Sequence, residues 1–254
     1  MDDNDATPYC RLSPPPRPIA LRPESISRSE ILVTVKNRPE PWHSLDYSVE
    51  YEGQTIFSVQ GYPWSIGQRR VFYDRSGLPL FELRGRWYNS SCLELRLPGE
   101  MGHVILSAKL RVAVRAPKAV VRFRNAAVSE QRRSRDARKR KAKEKVDGDD
   151  DNNVGLPGSD ELMLEVRDED PYHHTQVLVL GDQIVAHIRL VTNPAELSEG
   201  PQPLSRCRPK WEVRVAPGVD VALIAVVVVI LGQRVTVDER GTAGEELTEL
   251  RLSN

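Results

Sequence analysis

Five histidines, His43, His103, His173, His174 and His187, are the first residues to test for metal or acid–base chemistry. A metal site wants ligands at i and i+4 on a helix, or at alternate positions on a strand. Only His173 and His174 are neighbours, and adjacent residues on an extended chain point to opposite sides. They read as surface loop residues. Cys10, Cys92 and Cys207 are odd in number and far apart, a spacing of neither a disulfide framework nor a zinc ribbon. Buried or incidental thiols in a reducing compartment are the expectation. There is no Gly-x-Ser-x-Gly elbow, no phosphate-binding glycine loop and no Cys-x-x-Cys pair. Asp74 and Asp220 are accounted for by a turn and a helix start. These residues predict a non-enzyme that needs no cofactor and no metal.

The cations carry more. Arg69 and Arg70 precede one predicted strand, and Arg84 and Arg86 follow another, with Trp87 and Tyr88 next. Lys109, Arg111 and Arg115 are separated by two and four, so an extended chain puts them on one face, and Arg122 and Arg124 likewise. A basic face beside aromatic rings can hold an anionic lipid head group, because arginine offers phosphate a bidentate fork. The plainer reading is a solvated outer face balanced by Glu82, Glu94 and Glu165. Both stay open at this point.

A second basic feature lies between residues 129 and 160. The run from Arg132 to Lys145 includes Arg138, Lys139, Arg140 and Lys141, and an acidic stretch, Asp147-Gly148-Asp149-Asp150-Asp151, follows it. Like charges repel and leave nothing to bury, so this is an exposed insertion between strands. Such clusters are read by nuclear import receptors or form nonspecific anionic patches. No aromatic residue for base stacking interrupts the run, which argues against specific RNA binding. The whole chain has 36 basic and 36 acidic residues, so no net field draws in nucleic acid.

Short β-branched or alternating runs position these residues. They include Ile31 to Val35, Leu45 to Glu50, Thr55 to Val59, Arg70 to Tyr73, Leu78 to Leu83, Leu93 to Leu97, His103 to Val114 and Ala119 to Arg124. Leu162 to Val166, Gln176 to Leu180, Gln183 to Leu190 and Trp211 to Val215 complete the set. Tyr51-Glu52-Gly53-Gln54 marks a tight hairpin in which Gly53 can take positive φ, Gly181-Asp182 a two-residue hairpin, and Asp74 to Gly77 a turn. Roughly a dozen strands with turns every eight to twelve residues predict a sandwich or barrel. Residues 1–29 carry Pro14-Pro15-Pro16 and little to bury, which predicts a disordered or extended tail, and residues 233–254 form a second polar tail. The acidic start, Met1 to Asp5, with no apolar core behind it, predicts no secretory signal and a cytosolic or nuclear setting.

The apolar segment Val219 to Leu231 has strand-like composition but about twice a strand's length. Pro217 and Asp220 at its start, and Gly232 in the place of a left-handed cap, predict a helix over residues 218–232. A helix apolar on every face must be enclosed by protein or by lipid. At about 21–22 Å it falls short of the roughly 30 Å hydrocarbon core of a bilayer. Burial within the domain is the expectation, with a membrane anchor formed by residues 219–231 as the alternative.

Three stretches resemble a known family: Phe57 to Gly61, Val71 to Leu80, and Val215 to Ile224, the last with its Pro-Gly-x-Asp approach to an apolar helix. The sequence resembles the tubby C-terminal-like barrels, specifically the LURP-one-related family. That resemblance implies a mainly β, closed antiparallel twelve-stranded barrel over residues 30–232 around a central apolar C-terminal helix, with 129–160 as an insertion. Tubby proteins bind phosphoinositides and scramblases act at membranes, so the resemblance implies a binding module for an anionic phospholipid or a protein partner. The alternative is a scramblase-like membrane-associated protein. No matching motif allows the phosphoinositide residues of tubby proteins to be carried over. The candidate head-group residues are therefore Arg84, Arg86, Lys109, Arg111, Arg115, Arg122 and Arg124, read from strand position alone. The lipid reading adds peripheral membrane association to the expected setting.

Overall fold

The computed structural model describes residues 11–38, 45–86, 88–99, 103–111, 119–128, 160–170, 174–191 and 209–232. Twelve strands follow in order: β1 (Ile31–Asn37), β2 (Tyr47–Tyr51), β3 (Gln54–Tyr62), β4 (Arg69–Tyr73), β5 (Pro79–Arg86), β6 (Asn89–Arg96), β7 (Val104–Leu110), β8 (Ala119–Arg124), β9 (Glu161–Asp168), β10 (Thr175–Leu180), β11 (Gln183–Val191) and β12 (Lys210–Val215). Each pairs antiparallel with the next, and β12 returns to β1, so the sheet is a closed barrel with no free edge.

Alternation fixes the inner face. Val33, Val35, Leu93, Leu95, Leu164, Val166, Val213 and Val215 are all at most 1% exposed. A slip of one residue would turn them all toward water, so the apolar pattern sets the register. The turns agree with their sequences. Between β2 and β3, Glu52 and Gly53 both take positive φ, 50° and 75°, the requirement of a type I′ hairpin. Between β4 and β5, the Asp74 carboxylate accepts from Ser76 N–H at 2.8 Å and Leu78 N–H at 3.0 Å. Most strand limits shift by one or more residues: β7 is shorter than predicted, leaving Arg111 just past its end, while Arg69 and Arg70 lie inside β4 and Arg84 and Arg86 inside β5, instead of before and after those strands.

Residues 221–232 are helical, and each is buried. Their side chains belong to the same apolar cluster as the inward residues of the strands. The helix begins later than the predicted residue 218, because Val219 and Asp220 form β-bridges with Ile19 and Ile26. Asp220 is its N-cap: one carboxylate oxygen accepts from Ala222 N–H at 2.7 Å. Gly232 does not act as the predicted left-handed cap. It is a close-approach residue, where a Cβ would lie 2.9 Å from the Trp211 ring and 3.0 Å from the Tyr47 hydroxyl. Among the described residues no helix is long and apolar enough to cross a membrane. Enclosure of residues 219–231 in the core leaves the membrane-anchor alternative without support.

The expected N-terminal tail needs correction where it is described. Leu12, Ile19, Ala20 and Leu21 are buried. Ser13 N–H donates to Ile184 O at 2.9 Å, and Leu21 and Arg22 N–H donate to the second Asp220 carboxylate oxygen at 2.9 and 2.8 Å. Residues 11–29 thus strap one end of the barrel. Their partners are distant in sequence, so no local periodicity marks them. Residues 129–159 and 233–254 lie outside the described residues.

Candidate functional site

The outward face of β4 to β8 concentrates cations. Arg69, Arg84, Arg86, Arg96, Lys109, Arg122 and Arg124 lie on these strands, and their only acidic residues are Glu82 and Glu94. Seven cations thus face two carboxylates. The β-ladder aligns Arg84 with Glu94, Glu94 with Ser107, and Ser107 with Arg122, a single row across four strands. Three strand spacings separate Arg84 from Arg122 along it, about 14 Å. Lys109 lies diagonally from Arg122, a separation of about 7–8 Å.

The two carboxylates divide the wall into a paired part and an open part. Glu82 takes Arg84 and, at 3.1 Å, Arg69. Glu94 takes Arg86 at 2.5 Å and Arg96 at 2.7 Å. Burial opposes ionisation of Glu94, but the hydrogen bonds from Arg96 and Arg86 outweigh it and hold its pKa below the ordinary value. Lys109, Arg122 and Arg124 are exposed and make no ion pair among the described residues. Arg111 is exposed just past β7. The structure therefore brings Arg84, Arg86, Lys109, Arg122 and Arg124 onto neighbouring strands of one wall. Arg115 and the run Arg138, Lys139, Arg140, Lys141 lie outside the described residues.

Strand order also places aromatic residues here. The end of β3, the start of β4, the end of β5, the start of β6 and the end of β7 share one rim. There the Arg69 guanidinium lies 4.9 Å from the Tyr62 ring centroid, and Arg86 lies 5.8 Å from that of Tyr88. From sequence, Arg69 ranks among the suggestive cations but not among the head-group candidates, and Arg96 is in neither set. A strand parity count from Glu82 and Glu94 would have found Arg96. Arg70, next to Arg69, points the opposite way, is 1% exposed, and lies beside buried Tyr47 inside the barrel, where burial lowers its pKa.

Other candidates fit an anion less well. A groove of about 490 Å³ over β1, β2 and β12 is lined by Glu30, Glu50 and Glu52 as well as Lys36 and Lys210. Among the described residues no cluster of three His, Cys, Asp or Glu could hold a metal. His187 is buried and lies 2.8 Å from the Glu169 carboxylate, a structural pair inside β11's surroundings.

A closed antiparallel barrel of twelve strands with one strongly basic wall is thus the class of molecule described. The chain belongs to the LURP-one-related family, whose model matches residues 31–169. Among solved structures it is similar to a protein from Arabidopsis thaliana, at 18% identity and a TM-score of 0.50, over 84% of this chain and 95% of that one. At that identity the likeness speaks for the fold. No curated protein matches the chain.

Proposed function

We propose that this barrel is a non-enzymatic binding module whose β4 to β8 wall takes anionic phosphate groups displayed on a membrane, such as phosphoinositide or other anionic lipid head groups. One observation carries the reading: Lys109, Arg122 and Arg124 stand together on a wall of seven cations and two carboxylates, and no ion pair among the described residues occupies them. Arginine and lysine near an anionic surface each contribute about 1 kcal/mol of attraction. Ionic contacts of this kind weaken steeply with salt. The helix 221–232 serves this function indirectly. We infer that it runs along the barrel interior as a plug, which keeps the wall's register fixed.

Vesicle sedimentation tests the proposal. The protein should pellet with phosphatidylcholine vesicles containing phosphatidylserine or a phosphoinositide, stay in the supernatant with phosphatidylcholine alone, and be released by 0.5 M salt. Equal recovery in the supernatant with every vesicle would overturn it.

A further inference from the structure

The loop joining β3 to β4 holds two large apolar side chains in water. Trp64 is 99% exposed and Ile66 is 81% exposed. A single exposed apolar residue is ordinary, but a pair on one short ordered loop calls for a partner. The loop is braced from within. Ser65 Oγ donates to Tyr62 O at 2.5 Å and accepts from Arg69 N–H at 2.8 Å. It is also braced from the next hairpin, because Gly85 N–H donates to Gly67 O at 2.8 Å. Gly67 takes φ +75°, and a Cβ there would lie 2.2 Å from Gly85 O, so only glycine permits this docking. Fixed backbone contacts thus keep Trp64 and Ile66 facing out, which a loop free to collapse would not do.

Their surroundings select the partner. The loop shares its rim with Arg84, Arg86 and Lys109, and with Tyr88, which is 64% exposed. An apolar tip ringed by cations and amphipathic aromatic rings complements a surface that is anionic outside and apolar beneath. Tryptophan and tyrosine favour that interfacial layer of a bilayer. We infer that the β3–β4 loop is a membrane wedge: Trp64 and Ile66 enter the interfacial region of an anionic bilayer and set the barrel's orientation on it. The inference rests on the lipid reading of the basic wall and adds the element that penetrates.

The test separates the two. Trp64→Ala with Ile66→Ala should lower partition onto phosphatidylserine-containing vesicles at least about tenfold, from lost apolar burial alone. The thermal midpoint should not move, since neither side chain touches the core. Vesicles of brominated lipid should quench the fluorescence that disappears in Trp64→Phe, which isolates this tryptophan from the other three in the chain. If the protein sediments with anionic vesicles but the double variant does so equally and no quenching is seen, the wedge is wrong, the lipid reading stands, and the loop faces a protein. If the wild-type protein sediments with no vesicle, both fall.

Discussion

The two halves of the barrel wall differ in charge although they enclose one core. Strands β4 to β8 carry seven outward cations against Glu82 and Glu94. Strands β9 to β12 with β1 to β3 carry Arg167, Arg189, Lys210, Arg214 and Lys36 against Glu161, Glu165, Asp168, Glu212 and Glu50, an even balance. On that half, pairs close locally: Lys36 with Glu50 at 2.9 Å, Arg189 with Glu212 at 2.7 Å and Arg167 with Glu165 at 2.6 Å. A chain with no net charge therefore presents a directed field. Composition averages away the feature that strand order creates.

The largest perturbation would erase both halves together. Val226→Asp puts an unpaired carboxylate at a position with 0% exposure, and should cost more than about 4 kcal/mol. Urea unfolding that shows a stable folded variant would mean that the two walls do not depend on the helix.

Asp220 tests the same shared interior through pH. Burial raises its pKa from 3.8 to about 6, despite the backbone N–H groups of Arg22, Ala222, Leu21 and Leu223. Since the folded value is the higher one, the folded state keeps a proton that the unfolded chain releases. Its stabilising contribution is complete below about pH 3.8 and is lost as pH rises through about 6. Between pH 4 and pH 7 the stability difference between wild type and Asp220→Asn should move about 2 kcal/mol toward the variant. Denaturant titrations giving a constant difference would refute this.

The contrast itself is addressed by matched charge reversals. Changing Lys109, Arg122 and Arg124 to Glu should weaken binding to phosphatidylserine vesicles at least about a hundredfold at low salt. Changing Lys36, Arg167 and Lys210 to Glu should alter it by about twofold or less, since that wall makes no contact. Equal losses would show that total charge, not the wall, matters. The smallest expected effect sharpens the picture. Glu94→Gln releases Arg86 and Arg96 from their shared carboxylate and should raise vesicle affinity by a few-fold, at a cost of about 1 kcal/mol in stability. Sedimentation isotherms with unchanged affinity would show that the paired arginines stay outside the contact.

Much of this architecture was legible because strands and turns are local. Tyr51 to Gln54 announced a tight hairpin with positive φ at Gly53, though not at Glu52, and the β-branched runs announced the inner face. The apolar segment near residue 220 was legible from length and all-round hydrophobicity. What failed to show was whatever depends on distant partners. Leu12, Ile19 and Leu21 sit among prolines with no period, and the Asp220 partner of Leu21 is 199 residues away. Arg69 and Arg70 look alike in sequence, yet register sends one to water and the other into the barrel. For the wall, alternation identified Arg84, Arg86, Lys109, Arg122 and Arg124, but their division into paired and open sets follows from which carboxylate faces them across strands. Trp64 left no trace, because a turn residue carries no periodic signal.

The seam between β1 and β12 has a temporal consequence. Ribosomes build chains at about 5–20 residues per second, so after Asn37 emerges about 10–35 s pass before Lys210, its neighbour strand's first residue, is made. Throughout synthesis β1 lacks one of its two neighbours, and the strap lacks the carboxylate that will anchor it. Closure of the barrel is postponed until β12 has been made, and until then the outer margin of β1 has no strand to pair with.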